Sequence, residues 1–119
     1  DGGSIINIAS ILAERVGLNL ASYASAKAAL VQLTKSMALE LARSNIRVNA
    51  LAPGYILTEI NQDFFDTEEG QGYVSKIPMK RLGLESELDG ALLLLASDAS
   101  SFMTGSVITV DGGHVINPL

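Results

Sequence analysis

Residues 45–54 read NIRVNALAPG, an apolar run interrupted only by Arg47 and Asn49 and closed by Pro53-Gly54. A strand with one wet face alternates apolar and polar residues, whereas a near-continuous apolar run is how a parallel strand covered on both faces reads. Proline cannot donate to a ladder, so the strand stops there. The pattern returns in SIINIAS, residues 4–10, and in SVITVDGG, residues 106–113, which leaves through glycines. Between the first two runs lies a helical segment from Ala21 to Arg43. Between the last two lies a long excursion ending in the helix ESELDGALLLLASDAS, residues 85–100. Strand, helix, strand, helix, strand predicts an α/β fold with a parallel sheet and right-handed crossovers.

The first helix carries Ala26, Leu30, Leu33, Met37 and Leu41 on one face. Ala24, Ala28, Val31, Ala38 and Ala42 form another, leaving a narrow polar stripe through Ser25, Gln32, Ser36 and Arg43. A helix apolar on most of its circumference is expected to be covered on most of it. One face meets the sheet, and the other needs a helix that this chain is too short of helices to supply. Residues 59–80 change character: they are acidic and glycine-bearing, with Phe64, Phe65 and Tyr73 among polar neighbours. Such a mix fits a mobile lid over a pocket. Composition alone slightly favours a plainer reading, a solvated loop with a short helix whose aromatics dock on the core.

The 119 residues suffice for one domain with a real core. With 48% hydrophobic and 18% charged residues the chain is not disordered. Net charge is −5 and the four Lys and four Arg are scattered, so there is no basic stripe for nucleic acid. No apolar run approaches the roughly 18–20 residues a membrane span requires, and DGGSIINIAS lacks the basic start of a signal peptide. Without Cys there is neither a disulfide framework nor a thiolate metal site. A soluble cytoplasmic protein is expected.

Within SYASAKAAL, residues 22–30, Tyr23 precedes Lys27 by four positions. On a helix that spacing advances about 6 Å and stacks both side chains on one face. A free phenol titrates near pH 10, and a neighbouring cation lowers such a group by about 1–3 units, making it usable as an acid and base. That property can give a proton to a carbonyl oxygen receiving a hydride, or take one from an alcohol losing it. Chance alone supplies about one such pair in ten chains with three Tyr and four Lys, so the spacing needs company. Ser10 closes the first strand thirteen residues before Tyr23, at the carboxyl end where ligands bind in parallel α/β sheets. Its hydroxyl could donate to the same carbonyl oxygen; the plain alternative is a serine closing a turn. At the end of the next strand, Pro53 and Gly54 lead to Ile56 and Thr58. The glycine admits a flat ligand, and the Ile56 amide and Thr58 hydroxyl could bind a carboxamide or phosphate.

The ordered set of Ser10, YASAK (Tyr23 to Lys27), RVNALAPGYILT (Arg47 to Thr58), ALLLLASDASSFMTG (Ala91 to Gly105) and VITVDGG (Val107 to Gly113) resembles the short-chain dehydrogenase/reductase family. It spans almost the whole chain. The style is similar to bacterial sugar or polyol dehydrogenases and 3-oxoacyl-carrier-protein reductases. The resemblance implies a Rossmann-like, doubly wound parallel sheet and an NAD- or NADP-dependent enzyme interconverting a secondary alcohol and a ketone. It implies that Tyr23 is the general acid/base, that Ser10 orients the substrate carbonyl, and that Lys27 tunes Tyr23 and binds the nicotinamide ribose. Pro53, Gly54, Ile56 and Thr58 would hold the nicotinamide end. It further implies a homo-oligomer, a dimer or tetramer, built through the alanine-rich helix, and a substrate lid at residues 59–80.

The family's glycine-rich first turn, its NAG segment and its catalytic asparagine are absent, and GQG, residues 70–72, follows no strand. Residues 1–119 therefore look like the carboxyl-terminal part of a single NAD(P)-binding domain. The choice between NAD and NADP, read by residues at the ribose 2′ position, lies in the other half. The rival reading is a catalytically inactive truncation that acts as an oligomerising or binding partner. Glu85 stands where the family often has proline. His114, the single histidine, makes no metal site and is expected at a surface or interface. Asp98 and Asp111 read as helix-end and turn residues, Glu68 and Glu69 as a solvated charge pair, and Asn49 as a buried hydrogen-bonded residue.

Overall fold

The computed structural model describes residues 1–119. Its main sheet has three parallel strands, β1 (Gly3–Ile8), β2 (Ile46–Pro53) and β5 (Val107–Val110), in the order β1-β2-β5. The register runs from Gly3 opposite Ile46 to Ile8 opposite Leu51, and from Ala50 opposite Val107 to Pro53 opposite Val110. All three strands therefore end at one edge of the sheet, where Ser10, Gly54 and Asp111 follow them. The connecting elements are α1 (Ala21–Leu41), β3 (Ile56–Leu57), α2 (Gln62–Phe65), α3 (Glu68–Ser75), β4 (Gly83–Leu84) and α4 (Asp89–Ala96). Strands β3 and β4 form a separate two-residue parallel pair. No helix is long and apolar enough to cross a membrane.

Central strand β2 is buried without a break from Val48 to Ala52, as its unalternating sequence demands. Asn49 is fully buried and acts as a cross-brace: its Nδ2 donates to the Met103 carbonyl at 2.9 Å and its Oδ1 accepts from the Ser106 amide at 3.0 Å. Arg47 Nη2 donates to the Leu95 and Ser97 carbonyls at 3.2 and 3.1 Å, satisfying orphan acceptors at the end of α4. Helix α1 ends through a tight turn at Ala42–Ser44 and a left-handed Asn45 (φ 56°).

Two hydrogen bonds from β1 place the helices. Asn7 Nδ2 donates to Thr34 Oγ1 of α1 at 3.0 Å, and Ser4 Oγ donates to the Leu95 carbonyl of α4 at 2.6 Å. Strand positions three apart point to opposite faces, so α1 and α4 cover opposite sides of the sheet. Both crossovers step the same way across the sheet, so helices on opposite faces give them opposite hands. Two right-handed crossovers, as the element order predicts, are not what forms.

The stripe of α1 that meets the sheet runs through Ala24, Lys27, Val31, Thr34 and Ala38, with Val31 packed against Ala9, Ala50 and Ala52. Each of the two apolar faces expected from sequence is covered in part: Ala24, Val31 and Ala38 of the alanine-bearing one and Leu30, Met37 and Leu41 of the other. Buried Thr34 belongs to neither and is held by its Oγ1 donating to the Leu30 carbonyl at 2.8 Å. Leu33 and Leu39 stand 50% and 82% exposed on the far side.

Residues 59–80 fold mainly as two short helices. Thr67 caps α3 by accepting from the Gly70 amide at 3.1 Å, and Glu68 and Glu69 sit in the first turn, where the helix dipole favours acids. A Cβ on Gly70 would lie 2.5 Å from Phe65 Cα, so the α2–α3 crossing accounts for the first glycine of GQG. Of the segment's aromatics, Phe65 is buried, Phe64 is 41% exposed, and Tyr55 meets Phe65 and Tyr73 at centroid distances of 5.8 and 5.9 Å.

Candidate active site

Helix α1 begins where the chain returns to the sheet, so its first two turns stand over the carboxyl end of β1. Lys27, one turn after Tyr23, points down. Its Nζ donates to the Ile8 carbonyl at 2.8 Å and lies 5.6 Å from the centroid of the Tyr23 ring, within cation–π range. The ammonium thus bridges the phenol ring and the end of the strand that carries Ser10 two residues later. One N–H of Lys27 serves Ile8, and two more are available. Tyr23 is 46% exposed.

Ser10 is buried and caps the turn Ile11–Ala13, its Oγ accepting from the Leu12 amide at 3.1 Å. The turn-closing role expected as the plain alternative is therefore real. It leaves the hydroxyl hydrogen free, because an acceptor oxygen still has its own O–H to donate.

At the neighbouring strand end, Pro53 is the last residue of β2 and the Gly54 amide donates to the Val110 carbonyl at 2.9 Å. A Cβ on Gly54 would stand 2.7 Å from Asp111 Cβ, so close packing of two strand exits already requires a glycine there. Ile56 lies in β3. The Thr58 amide donates to Asn61 Oδ1 at 2.9 Å and Thr58 Oγ1 accepts from the Asn61 amide at 3.3 Å, so Asn61 fixes Thr58 while its hydroxyl keeps a proton to donate. Sequence reasoning gave Asn61 no role; a polar residue three positions after Thr58 was the available signal.

Tyr55 and His114 were likewise not assigned to the site. Their rings meet edge-on at a centroid distance of 5.2 Å. Burial, reinforced by the neighbouring Tyr73 phenol, pushes the Tyr55 phenol up. Burial pulls the His114 imidazole down; Asp111 opposes this, and Arg15 and Lys76 add to it. His114 is half-buried, and its Nδ1 has no hydrogen-bond partner. Together with Ile11, Leu12, Arg15, Tyr73 and Lys76, these residues line a cavity of about 270 Å³. A second cavity, about 230 Å³, opens beside Ile56 and Asp111.

A parallel sheet with helices on both faces defines a doubly wound α/β protein, with Lys27, Tyr23 and Ser10 near the carboxyl end of its first strand. The chain matches the family model described as Enoyl-(Acyl carrier protein) reductase over residues 1–115. It is 42% identical over 114 residues to 7alpha-hydroxysteroid dehydrogenase of Escherichia coli, covering 96% of this chain and 45% of that protein. To a 3-oxoacyl-acyl-carrier-protein reductase of Chlamydia trachomatis it is 40% identical over 111 residues, covering 93% and 44%. The crystal structure of a gluconate 5-dehydrogenase from Burkholderia cenocepacia, in complex with NADP and tartrate, superposes with a TM-score of 0.88 at 41% identity, over 94% of this chain and 44% of that one. The chain belongs to the short-chain dehydrogenase/reductase family. It spans a little under half the length of these relatives.

Proposed function

We propose that the whole protein of which these residues form part is an NAD- or NADP-dependent oxidoreductase interconverting a secondary alcohol and a ketone. The observation that carries this reading is the Lys27 ammonium, joined to the Ile8 carbonyl and set against the Tyr23 ring. Tyr23, with this ammonium against its ring, can remove the hydroxyl proton of an alcohol and return it to the oxygen of a ketone. The free O–H of Ser10 donates to that same oxygen and stabilises charge developing on it. The nicotinamide cofactor, when bound, accepts or supplies the hydride.

The donors at the strand ends suit the nicotinamide end of such a cofactor: two remaining Lys27 N–H groups for ribose hydroxyls, and the Thr58 hydroxyl beside Ile56, Pro53 and Gly54 for the carboxamide or phosphate. No pyrophosphate cradle is offered by GQG, because Gly70 is occupied by the α2–α3 crossing. Residues 59–80 are read as the substrate lid. The half-exposed Leu33, with Leu39 and Leu93 at 82% and 67%, supports a homo-oligomer, and the protein is read as cytoplasmic.

The test is the intact protein with Tyr23→Phe, assayed for NAD(P)-linked turnover alongside circular dichroism. Loss of turnover in a folded protein is expected; retained turnover rejects the assignment.

A further inference from the structure

We infer that the cavity beyond Ser10 takes a substrate bearing a carboxylate, a short hydroxy or keto acid whose anionic end is held by Arg15 and Lys76. This rests on the oxidoreductase reading and deepens it. The cavity is lined by Ile11 and Leu12, the two residues after Ser10, which sets one end of it next to the carboxyl end of the first strand. Its volume, about 270 Å³, lies just below the usual range for small-molecule sites and suits a compact ligand better than a long apolar one.

Charge decides what kind of compact ligand fits. Acidic residues outnumber basic ones by 13 to 8 in the chain, yet no Asp or Glu lines this cavity, while Arg15, Lys76 and His114 do. Both cations line the same cavity as the His114 imidazole. The acid nearest that imidazole, Asp111, is occupied: its Oδ1 accepts from the Gly113 amide at 2.9 Å and its Oδ2 from the Val115 amide at 2.8 Å.

Arg15 is held in place. Its Nη1 donates to the Val115 carbonyl at 2.6 Å, leaving Nη2 and Nε without a partner in the chain. A guanidinium fixed by one nitrogen and open at another edge is the geometry of forked carboxylate recognition. Lys76 Nζ rests 5.7 Å from the Tyr73 ring centroid and donates no hydrogen bond within the chain. A neutral polyol would leave both cations without a counter-charge, whereas a carboxylate supplies one.

Calorimetric titration of the intact protein with gluconate and with sorbitol, its uncharged counterpart in chain length, tests this with and without NADP. Gluconate is expected to bind at least about tenfold tighter, an advantage that shrinks as NaCl rises from about 0.05 to about 0.5 M. Arg15→Met should remove that advantage. Lys76→Met, on an exposed side chain whose loss leaves the fold intact, should reduce it severalfold, and Lys35→Met on the outer face of α1 should leave it unchanged. Equal affinity for the two ligands, tighter sorbitol binding, no gluconate binding in either condition, or a preference that survives both cavity substitutions overturns the inference. Tyr23→Phe separates the two readings: it should abolish turnover and keep the gluconate preference. Turnover that depends on Tyr23 without that preference rejects the carboxylate site alone.

Discussion

Two groups of side chains near the carboxyl edge of the sheet are built differently. On the sheet side, Ser10, Tyr23 and Lys27 come from one strand end and one helix, eighteen residues of chain, and Lys27 ties the two elements together directly. On the other side, Tyr55, Tyr73 and His114 come from three separate stretches whose contacts are mostly aromatic. The first group is fixed by backbone ladders and directional hydrogen bonds, the second by rings packed on rings. On the proposed function, proton transfer falls to the first and ligand shape and charge to the second.

The sharpest way to break this contrast is to remove one hydroxyl from each group and compare rates. On the sheet side Tyr23→Phe should lower turnover of the intact protein about 100- to 10,000-fold, the usual worth of a positioned acid/base. On the aromatic side Tyr55→Phe keeps the ring and loses only the hydroxyl. It should change kcat much less and act chiefly on KM. Steady-state kinetics of both variants decide the matter; equal losses of kcat would mean that the two groups do not divide the work.

Stability offers the second test. Asn49→Ala deletes two hydrogen bonds that tie β2 to the loop before β5; the Ser106 amide loses its partner, while the Met103 carbonyl keeps the Arg47 Nη1 donor at 3.3 Å. The expected cost is about 2–5 kcal/mol, read as a lower midpoint in urea for the whole domain. Gly70→Ala forces a methyl against the backbone of Phe64 and Phe65. That should cost about 1–3 kcal/mol, felt within α2 and α3. Hydrogen exchange should then accelerate over residues 62–75 while amides of β2 keep their protection. If Gly70→Ala loosens β2 as much as α3, the aromatic group is not the separate unit described above.

The same contrast explains what could be read from the chain. The strands were legible because parallel burial leaves unbroken apolar runs, and Tyr23 with Lys27 because helix spacing is a local property. Asn49 could be placed as buried because a lone polar residue in such a run must find partners. Hand and coverage were not legible: they depend on Ser4 and Asn7 pointing opposite ways to α4 and α1, a long-range outcome that no window of sequence contains. Thr34 was overlooked for the same reason, since its partner Asn7 lies 27 residues away. The cavity wall escaped almost entirely. Arg15 is 100 residues from the Val115 carbonyl that fixes it, and the Tyr55 ring that meets His114 is likewise remote in sequence.

The smallest expected effect concerns the outer rim, where Arg81 and Glu87 meet with Nη2 and Oε1 at 2.7 Å. The Arg81 hydrogen bond, assisted by the Leu84 amide, holds the Glu87 carboxyl down to about 2. A carboxylate depressed in the folded state contributes stability that is present above its unfolded value near 4.5 and is lost as pH falls from there through about 2. Glu87→Gln should therefore match the wild type in Tm at the acid end of that window and fall slightly behind it as pH rises toward 5. Both groups are exposed and salt screens them, so the gap should narrow further in about 0.5 M NaCl. A large, pH-independent loss would instead mean that Glu87 matters through its cap on Leu84, making the rim a structural part of the aromatic group and not an ion pair on its surface.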